Sequence, residues 1–153
     1  MMDTTRIENR IGVKATAETI WSLLSDLESW SRWNPVETEA EGRIAFGGSI
    51  TVTEAIPGLP ERRVTGKIGD WQPYAQLVWR ERRGWQFNLV RYYEIEELAP
   101  GNCIVSNGVI FGGMRGEGFH DKHRRVIKAA YAQIGEALRD ASEALATAEP
   151  SEP

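Results

Sequence analysis

The sequence has a single cysteine, Cys103, so no disulfide closes within the chain and no cluster of thiolates is available for zinc. No apolar run approaches the roughly 18 residues that a membrane-spanning helix needs. The first ten residues, MMDTTRIENR, lack the apolar stretch behind a basic start that marks a secretory signal. Neither sign of charge dominates: 18 Lys and Arg stand against 22 Asp and Glu, a net charge of −4, which argues against phosphate-backbone binding as the main role. A phosphate-cradling G-x-x-x-x-G-K, a G-x-G-x-x-G and a nucleophile elbow are all missing. Together these absences predict a cytoplasmic protein with no membrane span, no nucleic-acid partner, no metal and no cofactor.

What is present is an ordinary globular balance, 41% hydrophobic and 26% charged over 153 residues, which fits one domain with one core. Six tryptophans are more than a core of this size requires, and wide aromatic surfaces often line ligand pockets.

Thr5 to Lys14 alternate, with Ile7, Asn9, Ile11 and Val13 on one face and charges on the other, which predicts a half-buried strand. Thr16 is placed to cap a helix whose apolar positions are Ala17, Ile20, Leu24 and Leu27, with Trp21 beside them in the core. Ser25 and Glu28 have capping-box spacing, which predicts a second short helix over Leu27–Arg32 that stops before Asn34-Pro35. Six strands follow, punctuated by Gly47-Gly48, Pro57-Gly58, Gln72–Ala75, Gly84 and Pro100–Asn102. From about Phe119 the positions 120, 123, 127, 131, 134, 138, 141 and 145 form one stripe of a long helix. Residues 148–153 read as a frayed polar tail. This order predicts an α+β fold: an antiparallel sheet curved around a long C-terminal helix, with a cavity between them.

The run Ile20–Pro35 (IWSLLSDLESWSRWNP) resembles the entry motif of the START/Bet v-like (SRPBCC) superfamily, in particular its bacterial polyketide cyclase/dehydrase-like branch. Leu77-Val78-Trp79 resembles that branch's L-x-W strand, Tyr93-Glu94-Ile95 its F-x-L strand and Phe111-Gly112 the end of its last strand. The resemblance implies a single helix-grip domain over residues 1–147, with a seven-stranded sheet, two short helices and an apolar pocket. Trp30 matches the branch through its D-x-E-x-W run, and Trp33-Asn34-Pro35 matches the broader superfamily. Members of the superfamily carry lipids, sense hormones, cyclise polyketides or act as co-chaperones.

Arg91 shares a face with Phe87, Leu89, Tyr93 and Ile95, where a charge must be paired or must meet a ligand. It reads either as the anchor of a ligand's oxygen or as the partner of Glu81, on a hairpin centred at Gly84 that sets Trp79 opposite Leu89 and Leu77 opposite Arg91. Asn9 and Asn107 stand on apolar faces and either meet a ligand or satisfy nearby backbone. His120 and His123 extend the helix stripe toward the pocket mouth, either as proton carriers or as packing residues, while Asp121 points elsewhere. Trp30, Trp33, Trp71, Trp79, Phe87, Tyr93 and Phe111 are pocket-lining or core residues. Arg80–Arg83 reads as the solvated side of a hairpin. The expected partner is a small hydrophobic or aromatic molecule, with catalysis by Arg91, His120 and His123 as the alternative reading. A co-chaperone-like interaction module is the third, and a homodimer is left open.

Overall fold

The computed structural model describes residues 5–148. The elements run β1 (Arg6–Val13), α1 (Ala17–Ser25), a 3-10 turn (Leu27–Ser29), α2 (Trp30–Trp33), β2 (Glu37–Gly42), β3 (Ser49–Glu54), β4 (Arg62–Gln72), β5 (Gln76–Arg82), β6 (Asn88–Ala99), β7 (Asn102–Gly112) and α3 (Met114–Ala148). The expected tail lies outside the described residues, apart from Ala148. All seven strands join one antiparallel sheet in the order β1-β7-β6-β5-β4-β3-β2. With α3 lying against its concave side, this is the helix-grip fold.

The short turns account for the consecutive pairings, and β1 returns to lie beside β7, the last strand. Thr16 caps α1 as its spacing predicts, its Oγ1 accepting from the Thr19 N–H at 3.1 Å. The second helix exists but is split. Asp26, not Ser25, precedes the 3-10 turn, and the Ser29 hydroxyl donates back to the carbonyls of Leu23 and Asp26. α3 begins five residues earlier than expected, at Met114, because the N–H groups of Arg115 and Gly116 are taken up by the Gln86 carbonyl of the neighbouring hairpin.

Two registers differ from expectation. The β5–β6 hairpin is centred on Trp85, so Trp79 faces Arg91 and Leu77 faces Tyr93. In β2 the alternation breaks at a bulge between Thr38 and Glu41, where Glu39 has φ +50°. The bulge puts Glu37 and Ala40, three positions apart, on the same buried face.

The concave face is filled by Ile20, Leu24, Trp30, Ile50, Leu77, Trp79, Arg91, Ile127, Ile134 and Leu138, each buried to 1% exposure or less. Burial pushes the Cys103 thiol up to about 11, consistent with a small core side chain. Among the described residues no helix is long and apolar enough to cross a membrane.

Asn9 and Asn107 hold α3 to the sheet. Asn9 Nδ2 donates to Asn107 Oδ1 (3.2 Å), and Asn107 Nδ2 donates to the Tyr131 carbonyl (2.9 Å). Gly135 lets the helix come this close, since a Cβ there would lie 2.2 Å from Asn9 Nδ2 and 3.0 Å from Asn107 Oδ1. Gly135→Ala gains about 1 kcal/mol of helix propensity. It also forces the Asn9–Asn107 bond apart and overpacks the contact, at about 1–3 kcal/mol for overpacking alone. We expect a net loss of about 1–2 kcal/mol in urea unfolding; a neutral or stabilising result would show that the asparagine pair is not under this constraint.

Candidate functional site

Charges converge on the concave face from four strands or strand ends. Arg91 of β6 donates through Nη1 to Glu81 Oε1 and through Nη2 to Glu54 Oε2, both at 2.9 Å. Arg83, just past β5, returns to the same two carboxylates at 3.3 Å. Arg91, Glu54, Arg83 and Glu81 thus close a ring of alternating charge, with Arg62 at 3.7 Å from Glu81 on its outer side. Arg91 is 1% exposed and both glutamates 7%, so the ring is inside the protein. Burial works against the Arg91 charge, but Glu54 and its fellow carboxylates hold its pKa above the ordinary value. Burial also works against an ionised Glu54, yet Arg91 and Arg83 hold its pKa below the usual carboxylate range. The Arg83 guanidinium lies 5.3 Å from the Phe87 ring centre and 5.2 Å from that of Phe119 in α3. Arg80–Arg83 is therefore not a solvated run. Arg80 and Arg82 are exposed, and Glu81 and Arg83 belong to the interior ring.

Beside the ring lies Glu37, 2% exposed, opposite Glu54 in the β2–β3 pairing. Asn34 sets it there. Its Oδ1 accepts from the N–H groups of Val36 (3.0 Å) and Glu37 (2.8 Å), and its Nδ2 donates to Glu37 Oε1 at 3.3 Å. The Tyr93 hydroxyl donates to the same oxygen at 3.1 Å. Burial is the main force on this carboxyl and raises its pKa to about 7, with Arg91 pulling it back and Glu54 adding to the rise. Burial likewise pushes the hydroxyls of Tyr93 and Tyr131 well above the ordinary range, so both are neutral at physiological pH, Tyr93 as the donor to Glu37 and Tyr131 with its oxygen toward the Arg91 guanidinium.

Aromatic rings wall this group. Trp30 lies 5.8 Å from both Trp79 and Tyr93 and 5.9 Å from Trp33, and Trp79 stacks on Tyr93 at 6.1 Å. A Cβ at Gly66 would lie 2.5 Å from Trp79 Cδ1, so the glycine makes room for that indole. Trp30 Nε1 donates to the Leu24 carbonyl (3.1 Å). Arg91 Nε, Glu37 Oε2 and the Nε1 atoms of Trp33 and Trp79 are buried without a hydrogen-bonding partner.

The structure brings Trp30, Trp33, Trp79, Arg91 and Tyr93 together, as the sequence suggested, but scatters the other candidates. Phe87 and Phe111 pack with Phe119 in a second cluster under the start of α3. Trp71 pairs with Phe46, and Asn107 is engaged by Asn9 and the α3 backbone. His123 packs on Phe119 with the rings tilted and their centres 4.6 Å apart, and His120 packs on Phe111 with its Nδ1 2.9 Å from Asp121 Oδ1. Asp121 therefore does not point away from the histidine pair. Sequence reasoning passed over Glu37, Glu54, Asn34, Arg83 and Tyr131. Glu54 was findable, because it continues the inward positions Ile50 and Val52. Glu37 was hidden by the bulge. Among the described residues no three His, Cys, Asp or Glu side chains are grouped to hold a metal. The roomiest of the surface clefts described, about 730 Å³, opens on the outer face of the sheet beside Lys67, Arg80 and Arg82.

A family model described as "Polyketide cyclase / dehydrase and lipid transport" matches residues 4–143. No curated protein sequence matches the chain. Among solved structures, the Zhui aromatase/cyclase from Streptomyces sp. R1128 is similar, with a TM-score of 0.67 at 17% identity over 93% of each chain. The di-domain aromatase/cyclase StfQ of the steffimycin pathway gives 0.73 at 10% identity; 94% of this chain is covered but only 52% of that one. A START superfamily protein from Mycobacterium smegmatis gives 0.61 at 19% identity, over 87% of this chain and 98% of that one. Likeness at these identities establishes the architecture.

Proposed function

We propose, because the chain belongs to the polyketide cyclase/dehydrase and lipid transport family, that it binds a small aromatic or apolar molecule bearing oxygen substituents, held between the sheet and α3. One observation carries this reading: the partnerless Arg91 Nε, Glu37 Oε2 and indole N–H groups of Trp33 and Trp79 cluster among aromatic rings. A buried polar atom without a partner costs about 1–3 kcal/mol, and a ligand's hydroxyl or carbonyl oxygens would recover that. The rings supply apolar area at about 25 cal/mol per Å² before association costs.

A second reading is favoured by Glu37. A carboxyl whose pKa is near 7, beside a neutral Tyr93 and the Arg91 guanidinium, suits proton transfer to an enolising carbonyl. In that reading Glu37 moves the proton and Arg91 stabilises the developing oxyanion. This puts the chemistry on Glu37, not on His120 or His123.

The test is a titration of tryptophan fluorescence with hydroxylated naphthalenes, anthraquinones and fatty acids, followed by analysis of the recovered compounds. The reading expects saturable binding that weakens about tenfold in Glu37→Gln and in Tyr93→Phe, the loss of one hydrogen bond to a charged or buried group. Trp85→Phe, at the exposed hairpin tip, should bind as wild type. Incubation with a linear β-polyketone, which unlike the panel compounds has an enolisable carbon and a second carbonyl to close on, tests the catalytic reading: recovery of the product closed to a ring with loss of water selects it. A panel without any saturable change contradicts both.

A further inference from the structure

α3 carries its charge unevenly. Met114 to Lys128 holds five Lys or Arg and two carboxylates, whereas the remainder to Ala148 holds one Arg and three carboxylates. In a chain of net charge −4 this is a local reversal of sign. Arg124, Arg125 and Lys128 face the N-terminal half of β1 across an outer cleft of about 460 Å³, completed by Arg6, Ile7, Glu8 and His120. Among the described residues, none of Arg124, Arg125 and Lys128 has a carboxylate within ion-pairing distance. Arg124 and Lys128 stand four apart and Arg125 and Lys128 three apart, spacings at which like charges repel along a helix. Glu8, the carboxylate in the lining, is already engaged: it accepts from the Tyr92 hydroxyl and lies 3.6 Å from Arg6.

We propose that this cleft binds a compact, multiply charged phosphate compound. Three guanidinium groups and one ammonium against a single engaged carboxylate leave an excess of positive charge that an anion would relieve. Guanidinium forks match phosphate oxygens in pairs, which favours phosphate over a single carboxylate. Ile7 is the one aliphatic residue of the lining, so the cleft does not suit the apolar molecule proposed for the interior. The inference stands apart from the proposed function, because the two sites share no lining residue.

Calorimetry with inorganic tripolyphosphate tests it, at fixed ionic strength, with sulfate as the reference anion. The expected result is saturable binding at least tenfold tighter than sulfate, lost at least tenfold in the double variant Arg124→Glu/Arg125→Glu. Both arginines are exposed, so this variant should fold, and its unfolding midpoint checks that. Arg10→Glu/Arg43→Glu, placed outside this cleft, should bind as wild type. Vesicles of phosphatidic acid in phosphatidylcholine form a second arm, against phosphatidylcholine alone. Tripolyphosphate binding without vesicle binding assigns a free phosphate compound. Vesicle binding without tripolyphosphate binding, lost in the same double variant, assigns a lipid headgroup in the same cleft. No binding in either arm, or binding that survives Arg124→Glu/Arg125→Glu, overturns the proposal. Fluorescence titration of the interior should be unchanged in that variant, so failure here and failure of the interior reading are separable.

Discussion

Arg91→Leu is expected to destabilise the protein by about 3–5 kcal/mol, the cost of removing one partner from a buried ion pair. Leucine fills much of the arginine's volume, so the loss is electrostatic more than steric. It would leave Glu54 and Glu81 with Arg83 as their one other close interior cation, and Arg83 reaches them at 3.3 Å where Arg91 reaches them at 2.9 Å. The consequence is testable by a double-mutant cycle. Glu54→Gln in the Arg91→Leu background should recover part of the loss, because it removes the charge that arginine's departure strands, and the coupling should exceed about 1 kcal/mol. Urea unfolding of the four proteins measures this. A loss under about 1 kcal/mol, or strict additivity, would show that water reaches the ring and that it is not the buried network described.

Glu37 makes the opposite contribution to pH dependence. Its pKa is raised from 4.5 to about 7 in the folded protein, so between those values the folded state keeps a proton that the unfolded chain gives up. Stability therefore falls as pH rises through this window, by about 3 kcal/mol in total at about 1.4 kcal/mol per unit. Glu54 acts below it: its pKa is lowered, so its contribution is present above the unfolded value and lost only as pH falls further. In Glu37→Gln the decline between pH 4.5 and 7 should disappear, and the variant should gain on wild type steadily as pH rises. Unfolding midpoints across pH 4 to 9 read this directly, and Glu54→Gln should narrow the window from above, because the Glu54 charge adds to the rise at Glu37. Parallel profiles for wild type and Glu37→Gln would mean that Glu37 ionises as in solution.

The architecture was legible because its signals are local and repeated. Period-two alternation in Thr5–Lys14 and Phe87–Ile95, the stripe through Ile127, Tyr131, Ile134 and Leu138, and the IWSLLSDLESWSRWNP run all point to one helix-grip sheet. Half of the site was legible for the same reason. Arg91, Trp79 and Tyr93 occupy inward positions of clean strands, and Glu81 follows Leu77 and Trp79. The other half depends on events without a periodic signature. A bulge at Glu39 turns Glu37 inward, and Asn34 caps the backbone that holds it. The hairpin centre lies one residue beyond Gly84, at Trp85, which slides Arg91 from Leu77 to Trp79 without changing its face. His120 and His123 were misleading because a helical stripe records which side faces the sheet, not which part of the sheet lies beneath. Under the first turns of α3 lies the Phe87–Phe111–Phe119 cluster.

The most direct measurement is a crystal structure of the protein with the tightest binder from the fluorescence panel. The ligand is expected between the sheet and α3, stacked on Trp30 or Trp79, with oxygen atoms in hydrogen-bonding reach of Glu37 Oε2 and Arg91 Nε. A ligand found on the outer face, with the Glu37 and Arg91 side chains undisturbed beneath packed tryptophans, would contradict that expectation.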